Sequence, residues 1–162
     1  MFACDHVDVG VFDNPTVRVT VDVEVRPEQL FAILEDPDAW SVWLTAISKV
    51  TWTSPDPKGV GTTRTVTIGG DFVADEEFLV WEPNARMAFR FTQCSRRVFR
   101  AFAEDYRVTE RGGGSQLTWS IFVRPRGAPA VALRVLGPLL ALGLRPNLNR
   151  LRDYAVERYA TT

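Results

Sequence analysis

Histidine occurs once in this chain, at His6, and cysteine twice, at Cys4 and Cys94, neither in a CxxC pair. A single imidazole near the N-terminus leaves no material for a Ser-His-Asp triad or a His/Cys zinc site. Two cysteines so far apart allow one disulfide, but reduced thiols in a cytosolic protein are the reading their scarcity favours. An excess of either charge is also missing, because 19 Lys and Arg face 20 Asp and Glu for a net charge of −1. No field of one sign therefore draws the chain to nucleic acid or to an anionic membrane. The most apolar stretch, Ala128 to Leu144, is broken by Arg134, Gly137, Pro138 and Gly143. A membrane span wants about 20 clean residues, so stable membrane insertion is not expected. Met1 to Val11 carries Asp5 and Asp8 where a secretory signal would be basic and then apolar, so a cytoplasmic location is expected.

What is present is ordinary globular composition: 162 residues, 46% hydrophobic and 24% charged. That is one domain, large enough to bury a core without disulfides or metals. Residues 1–15 read as an extended leader and 16–162 as the folded domain. From Thr16 to Val25 the chain alternates, with Val17, Val19, Val21, Val23 and Val25 on one face of a strand. Arg26-Pro27-Glu28 opens a helix with the stripe Leu30, Phe31 and Leu34, and Pro37 ends it. A second short turn, Asp38 to Trp43, places Trp40 and Trp43 on one face as packing residues. Six strand segments follow: Ile47 to Thr53, Val60 to Ile68, Phe72 to Trp81, Arg86 to Gln93, Val98 to Glu110 and Gln116 to Arg124. Breaker clusters separate them, among them Gly69-Gly70 and Arg111 to Gly114, which implies an antiparallel meander. The triple glycine leads into a strand and not a helix, so it offers no phosphate site. Leu144, Leu148, Leu151, Ala155 and Tyr159 recur at helical spacing and predict a terminal helix of about 20 residues, with Pro138 in its first turn and Pro146 kinking it.

This order, and the local sequence, resemble the polyketide cyclase/dehydrase and lipid-transport superfamily, the SRPBCC, START or Bet v 1-like group. The resemblance is carried by VDVEVRPEQLFAILEDPDAWSVWL (Val21 to Leu44), KGVGTTR (Lys58 to Arg64), EFLVWEPNARMAF (Glu77 to Phe89) and GGGSQLTWSI leading into the last strand. It implies an α+β helix-grip fold: a curved seven-stranded antiparallel sheet around a long C-terminal helix, two short helices after the first strand, and a cavity between sheet and helix.

If the apolar residues of each strand face that helix, the two-residue period forces charges inward beside them. Arg64 shares a face with Val66 and Ile68, Glu76 with Phe78 and Val80, and Glu104 with Phe102, Tyr106 and Val108. Charges are rarely buried unpaired, so Arg64 is expected within ion-pair reach of Glu76 or Glu104; the alternative is that twist or bulges carry these side chains to the rim. The inward reading makes Arg64, Glu76 and Glu104 the polar end of a ligand pocket, with Tyr106 as a hydrogen-bond donor. Phe78, Met87, Phe89, Phe91, Phe102 and Trp119 then form its wall, and Leu140 and Leu144 close it from the helix. Two basic clusters, Arg96, Arg97 and Arg100, and Arg124, Arg126 and Arg134, read as solvated faces. The Ala128 to Leu144 stretch either seals the cavity or presents a patch to a partner, a second copy of the chain included.

Three functions are open at this point. The first is binding of a hydrophobic small molecule, a lipid, a polyketide or an aromatic metabolite, without cofactor, metal or assigned catalytic residue. The second is a cyclase/dehydratase-type enzyme relying on Arg64, Glu76, Glu104 and Tyr106. The third is a protein-interaction module using Ala128 to Leu144. A single scaffold hosts many chemistries, so the resemblance alone does not choose.

Overall fold

The computed structural model describes residues 1–127 and 130–160, and for 130–136 the backbone alone. The chain runs β1 (Phe2–Ala3), a 3-10 turn (Val9–Asp13), β2 (Val17–Val23), α1 (Pro27–Glu35), α2 (Ala39–Trp43), β3 (Ile47–Trp52), β4 (Thr63–Ile68), β5 (Phe72–Glu82), β6 (Arg86–Cys94), β7 (Phe99–Arg111), β8 (Gly114–Pro125) and α3 (Ala130–Tyr159). Seven strands form one antiparallel sheet in the order β2-β8-β7-β6-β5-β4-β3. The meander from β3 to β8 is thus uninterrupted, and β2 returns to pair with the free edge of β8, setting Val19 opposite Trp119. Gly69 and Gly70 make the β4–β5 turn with φ of 60° and 92°, a left-handed pair that side chains resist, and Gly112 and Gly113 repeat it between β7 and β8.

The concave face grips α3, as the helix-grip expectation required. α1 buries Leu30, Phe31, Ile33 and Leu34, and α2 buries Trp40 and Trp43. α3 buries Leu148, Leu151 and Ala155 along the stripe that the spacing indicated. It is longer than expected, at 30 residues, and both Pro138 and Pro146 lie inside it. A proline forfeits its own backbone donor, but the helix is carried through by tertiary contacts on both sides. Asn147 donates from Nδ2 to Gly143 O at 3.3 Å, and its Oδ1 accepts from Thr45 N at 3.4 Å. Gly137 sits so close to β2 that a Cβ there would fall 2.4 Å from Thr16 O, so only glycine allows this seating of the helix.

Two expectations are corrected here. The leader is not extended throughout. Its β1 pairs with the end of β6 beyond the stretch where β6 meets β7, and Asp5 N donates to Arg100 O at 2.6 Å. Val7 and Phe12 then bury against Ala88, Ala101 and Ala103 on the convex face, where three small side chains leave an apolar surface in need of cover. This brings the free thiols of Cys4 and Cys94 to 4.0 Å, with burial pushing Cys4 up to about 11. The second correction concerns β5. Phe78 pairs with Phe89 but Val80 with Ala88, so Leu79 is an extra residue that breaks the two-residue period. Val80 therefore packs with the convex cluster, and Trp81 takes its place on the concave side against Phe31 and Phe78.

Candidate functional site

Between the sheet and α3 lies a cavity of about 450 Å³. Its floor comes from Ile68 on β4, Phe89 and Phe91 on β6, Phe99 and Phe102 on β7, and Trp119, Ile121 and Val123 on β8. Trp40 closes one end, Leu44, Ala46 and Ile47 form one side, and Leu140 and Leu144 reach in from α3. Phe91 and Phe102 stack at 4.3 Å and Phe99 meets Phe102 at 5.2 Å, which makes this part of the wall a continuous aromatic surface. Into it project three charged side chains, Arg64, Glu76 and Glu104, each from a different strand.

The β4–β5 register sets Arg64 directly opposite Glu76, and the two are 1% and 3% exposed. Arg64 Nε donates to Glu76 Oε2, and the guanidinium carbon lies 4.5 Å from the rings of both Trp40 and Phe89, 5.1 Å from Phe78 and 5.5 Å from Trp52. Such a cage of ring faces compensates a desolvated cation. Burial raises the Glu76 carboxyl above its ordinary range, and the charge and hydrogen bond of Arg64 offset part of that rise.

Among the described residues Glu104 has no cation at hydrogen-bond distance. Its Oε2 accepts from the Tyr106 hydroxyl and, at 3.2 Å, from Trp119 Nε1. Burial is the main cause that lifts its carboxyl to about 7. The Tyr106 hydroxyl opposes the rise, Glu76 adds to it, and Arg64 and Trp119 oppose it again. Burial, with the Glu104 carboxylate beside it, holds the Tyr106 hydroxyl well above its ordinary value, so Tyr106 acts as a donor.

Nine of the side chains singled out in the sequence thus line the cavity: Arg64, Glu76, Phe89, Phe91, Phe102, Glu104, Trp119, Leu140 and Leu144. Three do not. Tyr106 lies behind Glu104, stacked on Trp119 at 5.3 Å and edge-on to Trp40 at 5.5 Å. Phe78 and Met87 are buried at 1% and 0% exposure, Phe78 against Trp52 and Trp81 and Met87 opposite Trp81 and Tyr106. The concave face is longer than one cavity, and α1 and α2 cover the end where these residues sit. Trp40, read from spacing as packing alone, is a cavity wall as well; its Nε1 donates to Leu34 O at 2.9 Å and so fixes the ring. Ile121 and Val123 continue the alternation of Trp119 along β8; Ile121 stands with Trp119 among the candidate wall residues, and Val123 is the one that extending the period by one more step would have caught.

The surface clusters are tied down where described. Arg96 pairs with Asp71, Arg100 with Asp5 at 3.3 Å, and Arg126 donates to the carbonyls of Phe99 and Ala3. Arg134 and the other side chains of 128–136 lie outside the described residues, so the apolar Ala128 to Leu144 stretch is followed only from Gly137. There Leu139 and Leu142 are exposed while Leu140 and Leu144 face the cavity, so this part of the stretch is not covered on every side. No helix among the described residues is long and apolar enough to cross a membrane.

Known proteins match this arrangement. Uncharacterised proteins of Mycobacterium tuberculosis and Mycobacterium bovis are 50% identical over 162 residues, covering 99% of this chain and 97% of theirs. A START superfamily protein from Mycobacterium smegmatis superposes with a TM-score of 0.71 at 16% identity, over 87% of this chain and 97% of that one. The di-domain ARO/CYC StfQ from the steffimycin biosynthetic pathway superposes with a TM-score of 0.70 at 13% identity, over 88% of this chain and 51% of that one. At such identities these two likenesses speak for the fold. The sequence pattern of "Polyketide cyclase / dehydrase and lipid transport" matches residues 14–156, from the start of β2 almost to the end of α3, and the chain belongs to that family.

Proposed function

We propose that the protein binds a hydrophobic small molecule, a lipid, a polyketide or an aromatic metabolite, in the cavity between sheet and α3. The observation that carries this reading is an aromatic and aliphatic cavity of about 450 Å³ with three buried charged side chains gathered in its wall. Ligand pockets run from about 300 to 1,000 Å³ and pair an apolar wall with a few placed polar groups. In this reading Phe91, Phe102, Ile121 and Leu144 hold the apolar body, and Arg64, Glu76 and Glu104 meet its polar end. The reading needs no cofactor, and the free thiols of Cys4 and Cys94 accord with a cytoplasmic location.

The reading is tested by filling the space. Val123 lines the cavity from β8, and Val123→Phe adds bulk into a void and not into packed core. The expected result is that the wild-type chain binds one neutral apolar fluorescent probe such as N-phenyl-1-naphthylamine per molecule, and that the variant, with its melting temperature within a few degrees, binds at least about tenfold more weakly. Equal binding by both proteins would place the probe elsewhere.

One observation favours a second reading, an enzyme of the cyclase/dehydratase type. A carboxyl held near 7 beside a tyrosine hydroxyl is suited to taking and returning a proton at neutral pH. Turnover of a poly-β-ketone substrate that is lost in Glu104→Gln but with binding retained would support it; unchanged turnover would remove Glu104 from that role.

A further inference from the structure

Arg64 and Glu104 are each left half-used by the protein. Among the described residues the one hydrogen bond of Arg64 runs from Nε to Glu76, and Nη1 is buried with no partner. The four rings around the guanidinium hold its plane, so the unused fork stays where it is. A buried donor left unmade is costly, and native structures satisfy nearly all of them. Glu104 shows the complementary vacancy. Both of its protein donors reach Oε2, and among the described residues none reaches Oε1. The two vacancies are neighbours, because Phe89, on which Arg64 stacks, is the register partner of Glu104, and all three line one cavity.

A ligand group that fills both must accept from Arg64 and share a proton with Glu104. A carboxyl does so with its two oxygens, one accepting from Arg64 Nη1 and the other sharing a proton with Glu104. The charges add a second condition. Facing Glu104 are Arg64 from β4, Glu76 from β5 and Tyr106 from its own strand, while β6, β8, α2 and the described part of α3 contribute only apolar or indole side chains. An acidic ligand would set three carboxyl groups around one guanidinium in an apolar enclosure. One of them must then carry a proton, and among the described residues Glu104 is the one with no cation at hydrogen-bond distance.

We propose that the ligand of this cavity is an apolar acid, its carboxyl or equally acidic group bound between Arg64 Nη1 and Glu104 Oε1, and that binding of the anion takes up a proton shared with Glu104. The inference rests on the cavity being a ligand site. Because Glu104 in the free protein sits at about 7, the proton must be supplied near neutrality, and affinity for the anion falls as pH rises through that value.

The test compares 1-pyrenebutyrate with 1-pyrenebutanol, which share one apolar body, by fluorescence titration from pH 6 to pH 9. The acid is expected to bind about tenfold more tightly than the alcohol at pH 6, and to weaken about tenfold between pH 6 and pH 8, while the alcohol stays flat. In Glu104→Gln the affinity for the acid is expected to lose its pH dependence, and in Arg64→Met/Glu76→Met the acid is expected to lose its advantage. Equal affinities at pH 6, or an acid titration that is flat in the wild-type protein, overturn the inference and leave the cavity reading intact. Failure of both compounds to bind overturns the cavity reading itself. If the double variant does not fold, the comparison of Glu104→Gln with wild type decides the matter.

Discussion

Arg64→Met is expected to destabilise the protein by about 3–5 kcal/mol, whereas Arg64→Met/Glu76→Met is expected to restore wild-type stability or exceed it. The single change removes the partner of a carboxylate that is 3% exposed, along with four ring contacts, and leaves Glu76 with the full cost of its burial. Methionine follows the path of the arginine stem, so little of the loss comes from an empty space. The double change removes the charge problem altogether, and hydrophobic replacement of a buried ion pair is often neutral or stabilising. Urea unfolding of the four proteins of this cycle gives the coupling energy directly. A single variant within about 1 kcal/mol of wild type would mean that Glu76 finds water or another partner, and the polar end of the cavity would then not be a dry, built feature.

The second large effect is pH-dependent. Glu104 rises from an ordinary 4.5 to about 7 on folding, so the folded protein holds this proton more tightly than the unfolded chain does. The stability linked to that proton is fully present below about 4.5 and is lost as pH rises through about 7. A rise of that size corresponds to ~3 kcal/mol. Glutamine has no proton to lose, and its amide oxygen can still accept from Tyr106 and Trp119. Glu104→Gln is therefore expected to gain on the wild-type protein from pH 5 to about pH 7 and to level off by pH 8, the total gain reaching up to ~3 kcal/mol in chemical unfolding. Taking the difference between the two proteins cancels the other titrating groups. Parallel profiles across that range would show that Glu104 titrates as an ordinary carboxylate and has no raised proton affinity to share with a ligand.

Much of the fold was legible because its signals are local. The valines of β2, the glycine pairs at 69–70 and 112–113, and the leucine stripe of α3 each follow from a short-range period or from a backbone conformation that few residues adopt. The inward charges were legible for the same reason, since Arg64, Glu76 and Glu104 each keep the phase of their apolar neighbours. What escaped depends on long-range partners. The extra residue at Leu79 is invisible without the pairing of β5 and β6, so Val80 was assigned to the wrong face. The burial of Val7 and Phe12 depends on three alanines brought together from β6 and β7. The extent of α3 through Pro138 and Pro146 depends on contacts from Thr16 and Thr45 that lie more than 100 residues away in sequence. Phe78, Met87 and Tyr106 were separated from the cavity by a fact no strand period contains, namely how far α1 and α2 reach across the concave face.

The central claim, that the space between the sheet and α3 is a binding site for an apolar molecule, is tested most directly by locating one there. Naphthalene carries no polar group, so its binding asks only about the cavity and not about its charged end. In a two-dimensional NMR titration of the labelled protein, saturable shifts are predicted for Phe91, Phe102, Ile121, Val123 and Leu144, with intermolecular contacts to their side chains. Shifts that do not saturate, or that are confined to the exposed Leu139 and Leu142, would contradict the account.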